Sequence, residues 1–155
     1  MTNELKKDPA QEKPSRFSPS ARHYARQYAL QALYQWQIAK TSINAIEIEF
    51  SKRYEKQKFD RTYFQQLLHN IPANQPEIDQ IIAPFLKRSI EDVDLIEQAV
   101  LRLATYELMK CPDIPYRVII NEALELTKQY GSGEGYKFVN GILDQIARTV
   151  RPHSL

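Results

Sequence analysis

Arg22 and Arg26 stand one helical turn apart, with Lys13 and Arg16 upstream and Lys40 downstream, and no acidic residue lies between Lys13 and Ile46. Guanidinium groups at this spacing can neutralise successive phosphates of a polyanion on one face. A solvated basic segment without a ligand has the same composition, so charge alone leaves both readings open. Near the other end, Lys137 and Phe138 precede Gly141. A ring at the edge of a helical apolar stripe, beside a cation, offers a stacking face to an unpaired base. Gly141 on the same flank leaves room for close approach by a ligand or by a neighbouring helix. The competing reading has Phe138 in the core and Gly141 as a packing contact.

Groups suited to bond-making chemistry do not assemble. His23, His69 and His153 are far apart in the chain, and no Cys/His cluster has zinc-like spacing. Glu122 and Glu125 are three apart, a pattern that ordinarily marks a solvated helix face. The loop Gly131-Ser-Gly-Glu-Gly135 lacks the Gly-Lys-Ser/Thr ending of a phosphate loop and follows a helical pattern rather than a strand. Cys111 is the only thiol and has no evident activating base. The expectation is a binding protein with no catalytic residues, no metal and no cofactor.

The elements that position these residues read as helices throughout. Asp92 to Met109 is apolar around most of its circumference, interrupted by Glu97, Arg102 and Glu107. It is too polar for a membrane span and fits a core helix around which its neighbours pack. Glu107 inside it is expected to be a buried, paired carboxylate. Ser18 with Pro19 opens a first helix reaching about Ala39, with Ala25, Ala29, Ala32, Leu33 and Trp36 inward. Leu30 and Tyr34 fall off that stripe and are expected on the outward side as a contact pair. Ser42 caps a second helix, Asp60 a third that Pro72 stops, and Asn74 with Pro76 opens a fourth that Pro84 kinks. Ser89 with Asp92 suggests a capping box for the core helix. Pro115 starts the next helix, Gly131 stands where a left-handed C-terminal glycine is expected, and a last helix runs from about Tyr136 to Thr149.

The 155 residues therefore predict an all-α fold of about seven helices. Residues 1–17 are polar and proline-bearing, expected as a disordered tail, and 18–155 form one helical domain with subdomains at about 18–72 and 73–150. All four glycines lie between Gly131 and Gly141, which argues against folds built on many tight turns. A net charge of +2, a single cysteine and no apolar signal core point to a cytoplasmic protein with no membrane association.

Several of these residues together resemble one family. Arg22, Arg26 and Gln31-Ala-Leu-Tyr34, then Val100-Leu-Arg-Leu-Ala104 with Tyr106-Glu-Leu108, then Asp113-Ile-Pro115, Ile120-Asn-Glu-Ala123, Phe138-Val-Asn-Gly141 and Leu143-Asp144 resemble the NusB transcription antitermination factors over about Ala21 to Pro152. The combination is specific, although Gln-Ala-Leu-Tyr alone would be weak. The resemblance implies two packed three-helix-like subdomains. It also implies pairing with NusE, a small-subunit ribosomal protein, to bind the single-stranded boxA RNA of ribosomal RNA leaders and join the RNA polymerase elongation complex. It further implies RNA contacts at Arg16, Arg22, Arg26, Arg88, Arg102, Lys137 and Phe138, partner contacts at Tyr34, Glu91 and Glu97, and a tuning role for Glu134. The family's arginine cluster is denser; here His23 and Tyr24 occupy neighbouring places. Self-association through the NusE-facing surface, giving a homodimer, stays open. Two alternatives remain: a helical protein-interaction module without RNA specificity, and the N-terminal domain of ribosomal-RNA cytosine methyltransferases. The second requires a following α/β domain with a Gly-rich cofactor loop, which is expected to be absent from a chain ending at Leu155.

Overall fold

A computed structural model describes residues 18–154, and the expected tail with Lys13 and Arg16 lies outside them. Seven α-helices form among the described residues, with three short 3₁₀ turns and no strand. They are α1 (Pro19–Ala39), α2 (Ile43–Arg53), α3 (Arg61–Ala73), α4 (Gln75–Ile82), α5 (Leu95–Lys110), α6 (Tyr116–Tyr130) and α7 (Gly135–Val150). The fold is all-α. None of these helices is long and apolar enough to cross a membrane. The chain divides into two compact units, Met1–His69 and Asn70–Leu155, with the boundary inside α3.

In the first unit, helix starts are set by short polar side chains that accept from otherwise unpaired N–H groups. Ser18 Oγ accepts from the Ala21 amide at 3.0 Å and Ser42 Oγ from the Ala45 amide at 3.1 Å. Asp60 Oδ1 accepts from the Tyr63 amide at 3.0 Å, opening α3. Ile46, Phe50, Phe64 and Leu67 fill the interior, and Leu30 joins them at 1% exposure. Leu30 is thus a core residue and not half of an outward pair. The α1 stripe is wider than the spacing of its alanines suggested, because those small side chains let neighbours close over its edges.

The second unit is built on α5. Every residue from Glu97 to Leu108 is buried, and α4, α6 and α7 all pack against this helix. A helix covered on all sides has to be apolar on all sides, as its sequence demanded. Its start differs from expectation. Ser89 caps a 3₁₀ turn at Ile90–Asp92, and the residue that caps α5 is Asp94, whose carboxylate accepts from the amides of Ile96 and Glu97. The far end of α5 is closed by a side chain from beyond α7. The Arg151 guanidinium donates to the carbonyls of Leu108 (3.0 Å), Ile114 (2.5 Å), Glu107 (3.1 Å) and Cys111 (2.7 Å). A cation there gathers the carbonyls around the helix end, those of Glu107 and Cys111 already accepting from backbone amides, and complements the negative end of the helix dipole.

Gly131 also departs from expectation, since it ends α6 in an extended conformation (φ −85°, ψ −170°) and not a left-handed one. A side chain is still excluded, because a Cβ would lie 2.7 Å from the Thr127 carbonyl oxygen. Asn74 stands before α4 as expected, but its amide donates back to the Asn70 carbonyl at 2.7 Å and caps nothing in α4.

Candidate nucleic-acid interface

In the first unit the start of α1 carries the basic residues. No acidic side chain lies in its first turn, so the positive end of its dipole is uncompensated by the helix itself. Arg22 lies with its guanidinium 4.1 Å from the centre of the Tyr63 ring, and its Nε donates to Asp60 Oδ2 at 3.2 Å. Asp60 therefore has two tasks, capping α3 and orienting Arg22. The Arg22 side chain keeps 23% of its surface open. Arg26 does not share that position. It is only 3% exposed, with its guanidinium 5.6 Å from the same Tyr63 ring. The expected solvent-facing pair is thus one outer arginine and one buried arginine. The helix spacing was right, but the second-turn arginine is buried while the first-turn arginine keeps part of its surface open. Arg16 falls outside the described residues.

The second unit brings Arg88 and Phe138 together. They border an open groove of about 390 Å³ whose walls include Phe85, Lys87, Ile142 and Gln145. Arg88 is exposed, and its guanidinium lies 5.6 Å from the centre of the half-buried Phe138 ring. The Gly141 position faces open space, with nothing within 4 Å of where a Cβ would stand. Gly141 is therefore not a helix-packing contact. Lys137, next in sequence to Phe138, points to Glu134 and pairs with it at 2.9 Å, both side chains well exposed.

Arg102, which the resemblance implied as an RNA contact, is instead an internal tie. It is 5% exposed and grips Asp79 with two parallel hydrogen bonds, Nε to Oδ1 at 2.9 Å and Nη2 to Oδ2 at 3.1 Å. Its Nη1 donates to Gln98 Oε1 at 3.3 Å. These bonds lock α5 to α4, and a guanidinium so engaged is not offered to a phosphate.

Among the expected partner contacts, Tyr34 is half-buried on α1 and Glu91 is exposed in the 3₁₀ turn before α5. A hydrogen bond from Ser89 holds the Glu91 carboxyl below its ordinary range. Glu97 differs, being only 8% exposed. Its carboxylate abuts the first residue of α7 so closely that a Cβ on Gly135 would overlap its outer oxygen and sit 3.0 Å from Cδ. Burial, with Asp94 adding to it, pushes the Glu97 carboxyl up, and Arg88 opposes the shift. Glu97 is thus largely internal and packs against Gly135, where a larger residue would require the Glu97 side chain to move. Glu107 is buried at 1% exposure, as its place in α5 required.

Sequence reasoning gave Asp60 only as a helix cap and missed its hold on Arg22, and it missed Asp79 and Arg151 altogether. No local spacing announces them, because each partner lies more than 20 residues away in the chain. Lys87, beside Arg88 in the groove, was missed as well, although a basic pair following Pro84-Phe85 was a visible signal.

The comparisons with known proteins agree with this architecture. The model of the NusB family matches residues 23–148. The transcription antitermination protein NusB of Colwellia psychrerythraea is 46% identical over 134 residues, covering 86% of this chain and 97% of that protein. NusB of Pseudomonas fluorescens is 49% identical over 146 residues, covering 94% and 88%. Among solved structures, T. maritima NusB superposes with a TM-score of 0.72 at 33% identity, covering 82% of this chain and 90% of that one. A complex described as antitermination factors NusB and NusE with double-stranded RNA gives 0.77 at 27% identity, covering 84% and 98%. With the family model spanning most of its length and relatives near half identical across theirs, the chain belongs to the NusB family.

Proposed function

We propose that this chain is an RNA-binding transcription antitermination factor that pairs with a NusE-type ribosomal protein on single-stranded boxA RNA of ribosomal RNA leaders. In that role it would enter the RNA polymerase elongation complex. The observation that carries the reading is the second unit's open groove, where exposed Arg88 and Lys87 stand beside the Phe138 ring. Cations at the rim neutralise phosphates and set the register of the strand. A splayed base lies against Phe138, and the open position at Gly141 admits it without a clash. Arg22, oriented by Asp60, is the cation the first unit contributes. The function is binding; no bond is made or broken.

Glu134 fits a tuning role because it holds Lys137 in an exposed ion pair. Phosphate and Glu134 then compete for one ammonium group, and removing the carboxylate releases the lysine for RNA. Tyr34 and Glu91, both reachable from solvent, are the residues assigned to NusE.

The test is an anisotropy titration of boxA-type RNA against scrambled RNA, with and without NusE. Preference for boxA that strengthens with NusE is the expected result. Three or four neutralised phosphates predict a log–log salt slope of about −2 to −3. Equal affinity for both RNAs in the presence of NusE would overturn the proposal and favour a plain protein-interaction module.

A further inference from the structure

Three tyrosine rings form a file in the first unit, with Tyr28 buried in the middle, half-buried Tyr54 at one end and exposed Tyr24 at the other. Tyr28 and Tyr54 stack at 3.9 Å between centroids with planes 16° apart. Tyr24 continues the file, 6.3 Å from Tyr28 with planes 25° apart. The other two members are fixed. Tyr28 is buried and meets the edge of Phe59 at 4.8 Å, while the Tyr54 hydroxyl donates to Gln31 Oε1 at 3.1 Å. The outer member is open, since Tyr24 is 42% exposed with the His23 ring edge-on to it at 5.4 Å.

We infer that the open ring of Tyr24 is a stacking platform for an unpaired nucleobase, carried by the first unit and separate from Phe138. A base laid on Tyr24 would extend a row of nearly parallel rings whose orientation is already set, so little side-chain freedom is lost on binding. The surroundings favour a nucleic acid over a protein ligand. The segment that carries Tyr24 has no acidic residue between Lys13 and Ile46, and the first turn of α1 has no carboxylate of its own; Arg22, two residues before Tyr24, lies on another side of the helix, where the Asp60 carboxylate holds it. Stacking tolerates any base, so Tyr24 adds affinity and footprint without adding sequence preference.

The inference rests on the RNA-binding reading above, and the experiment separates the two. Full-length chain is titrated with single-stranded boxA-type RNA, using wild type, Tyr24→Ala, Tyr24→Leu and Tyr24→Phe. The alanine and leucine variants are expected to bind at least about five-fold more weakly, with the wild-type salt slope, and the phenylalanine variant to bind like wild type. Leucine keeps the bulk but removes the π face, so a leucine variant with wild-type affinity overturns the inference while leaving the RNA reading intact. Loss of NusE binding with unchanged RNA affinity also overturns it, making Tyr24 a protein contact. A wild-type chain that binds no RNA removes the broader reading and this one together.

Discussion

Arg26 in the first unit and Arg102 in the second are buried to nearly the same depth, 3% and 5% exposed, and each unit also carries an arginine that stays open to solvent, Arg22 in the first and Arg88 in the second. The outer members differ. Arg22 is held by the carboxylate of Asp60 and lies over Tyr63, so its direction is fixed before any ligand arrives. Arg88 is exposed beside a ring at the rim of a groove. The first unit therefore presents an oriented cation with an open tyrosine two residues on, and the second a freer cation with a cavity. Burial, and not charge, separates the arginines that hold the fold from those left for a ligand.

That contrast can be broken most forcefully at Arg102. Arg102→Ala leaves Asp79 without its bidentate partner, and breaking a buried pair costs about 3–5 kcal/mol, reduced here because Asp79 retains some solvent contact. Chemical denaturation is expected to show a loss of about 2–4 kcal/mol. An Arg102→Ala chain of wild-type stability with weakened RNA binding would return this residue to the interface.

Phe138→Ala is the next largest change, and in affinity. Loss of one stacked base costs about 1–3 kcal/mol, while stability should fall less because the ring is only half-buried. Arg88→Ala should flatten the salt dependence by about one phosphate and leave the melting temperature near that of wild type. If Arg88→Ala leaves the slope untouched, the second unit's groove is not where the strand lies.

Gly141→Ala sharpens the same comparison more gently. The position has open space and sits inside α7, so alanine should stabilise by roughly 0.5–1 kcal/mol through helix propensity. A gain in stability coupled to a loss of RNA affinity would show that the space belongs to the ligand.

The smallest effect is expected at Glu97, because Arg88 opposes part of what burial does there. A carboxyl raised in the folded state favours the protonated form. Its contribution is complete below its ordinary value of 4.5 and is lost as pH rises through the raised value. Glu97→Gln, which mimics the neutral acid, should melt above wild type at neutral pH and alike at acid pH. A variant less stable than wild type at neutral pH would mean that the charged carboxylate supports the start of α7.

Much of this was legible from the residues in order. Ser18, Ser42 and Asp60 announced their helix starts because a cap acts within three residues, and the all-round apolarity of α5 announced its burial. Legibility failed where a nearer or a more distant group won. Asp94 displaced Ser89 as the α5 cap, and Leu30 was drawn inward by neighbours that no helical wheel contains.

By itself the sequence determined the class of fold, the number of helices and most of their ends, since those depend on backbone bonds and side chains a turn apart. Only the tertiary structure decided which charges are available. Whether Arg22, Arg26, Arg88 or Arg102 meets water depends on Tyr63, Asp60, Phe138 and Asp79, residues on other segments brought close by packing. The reason is range: hydrogen bonds along a helix are local, whereas the burial of a long cationic side chain is set by whatever the chain folds over it.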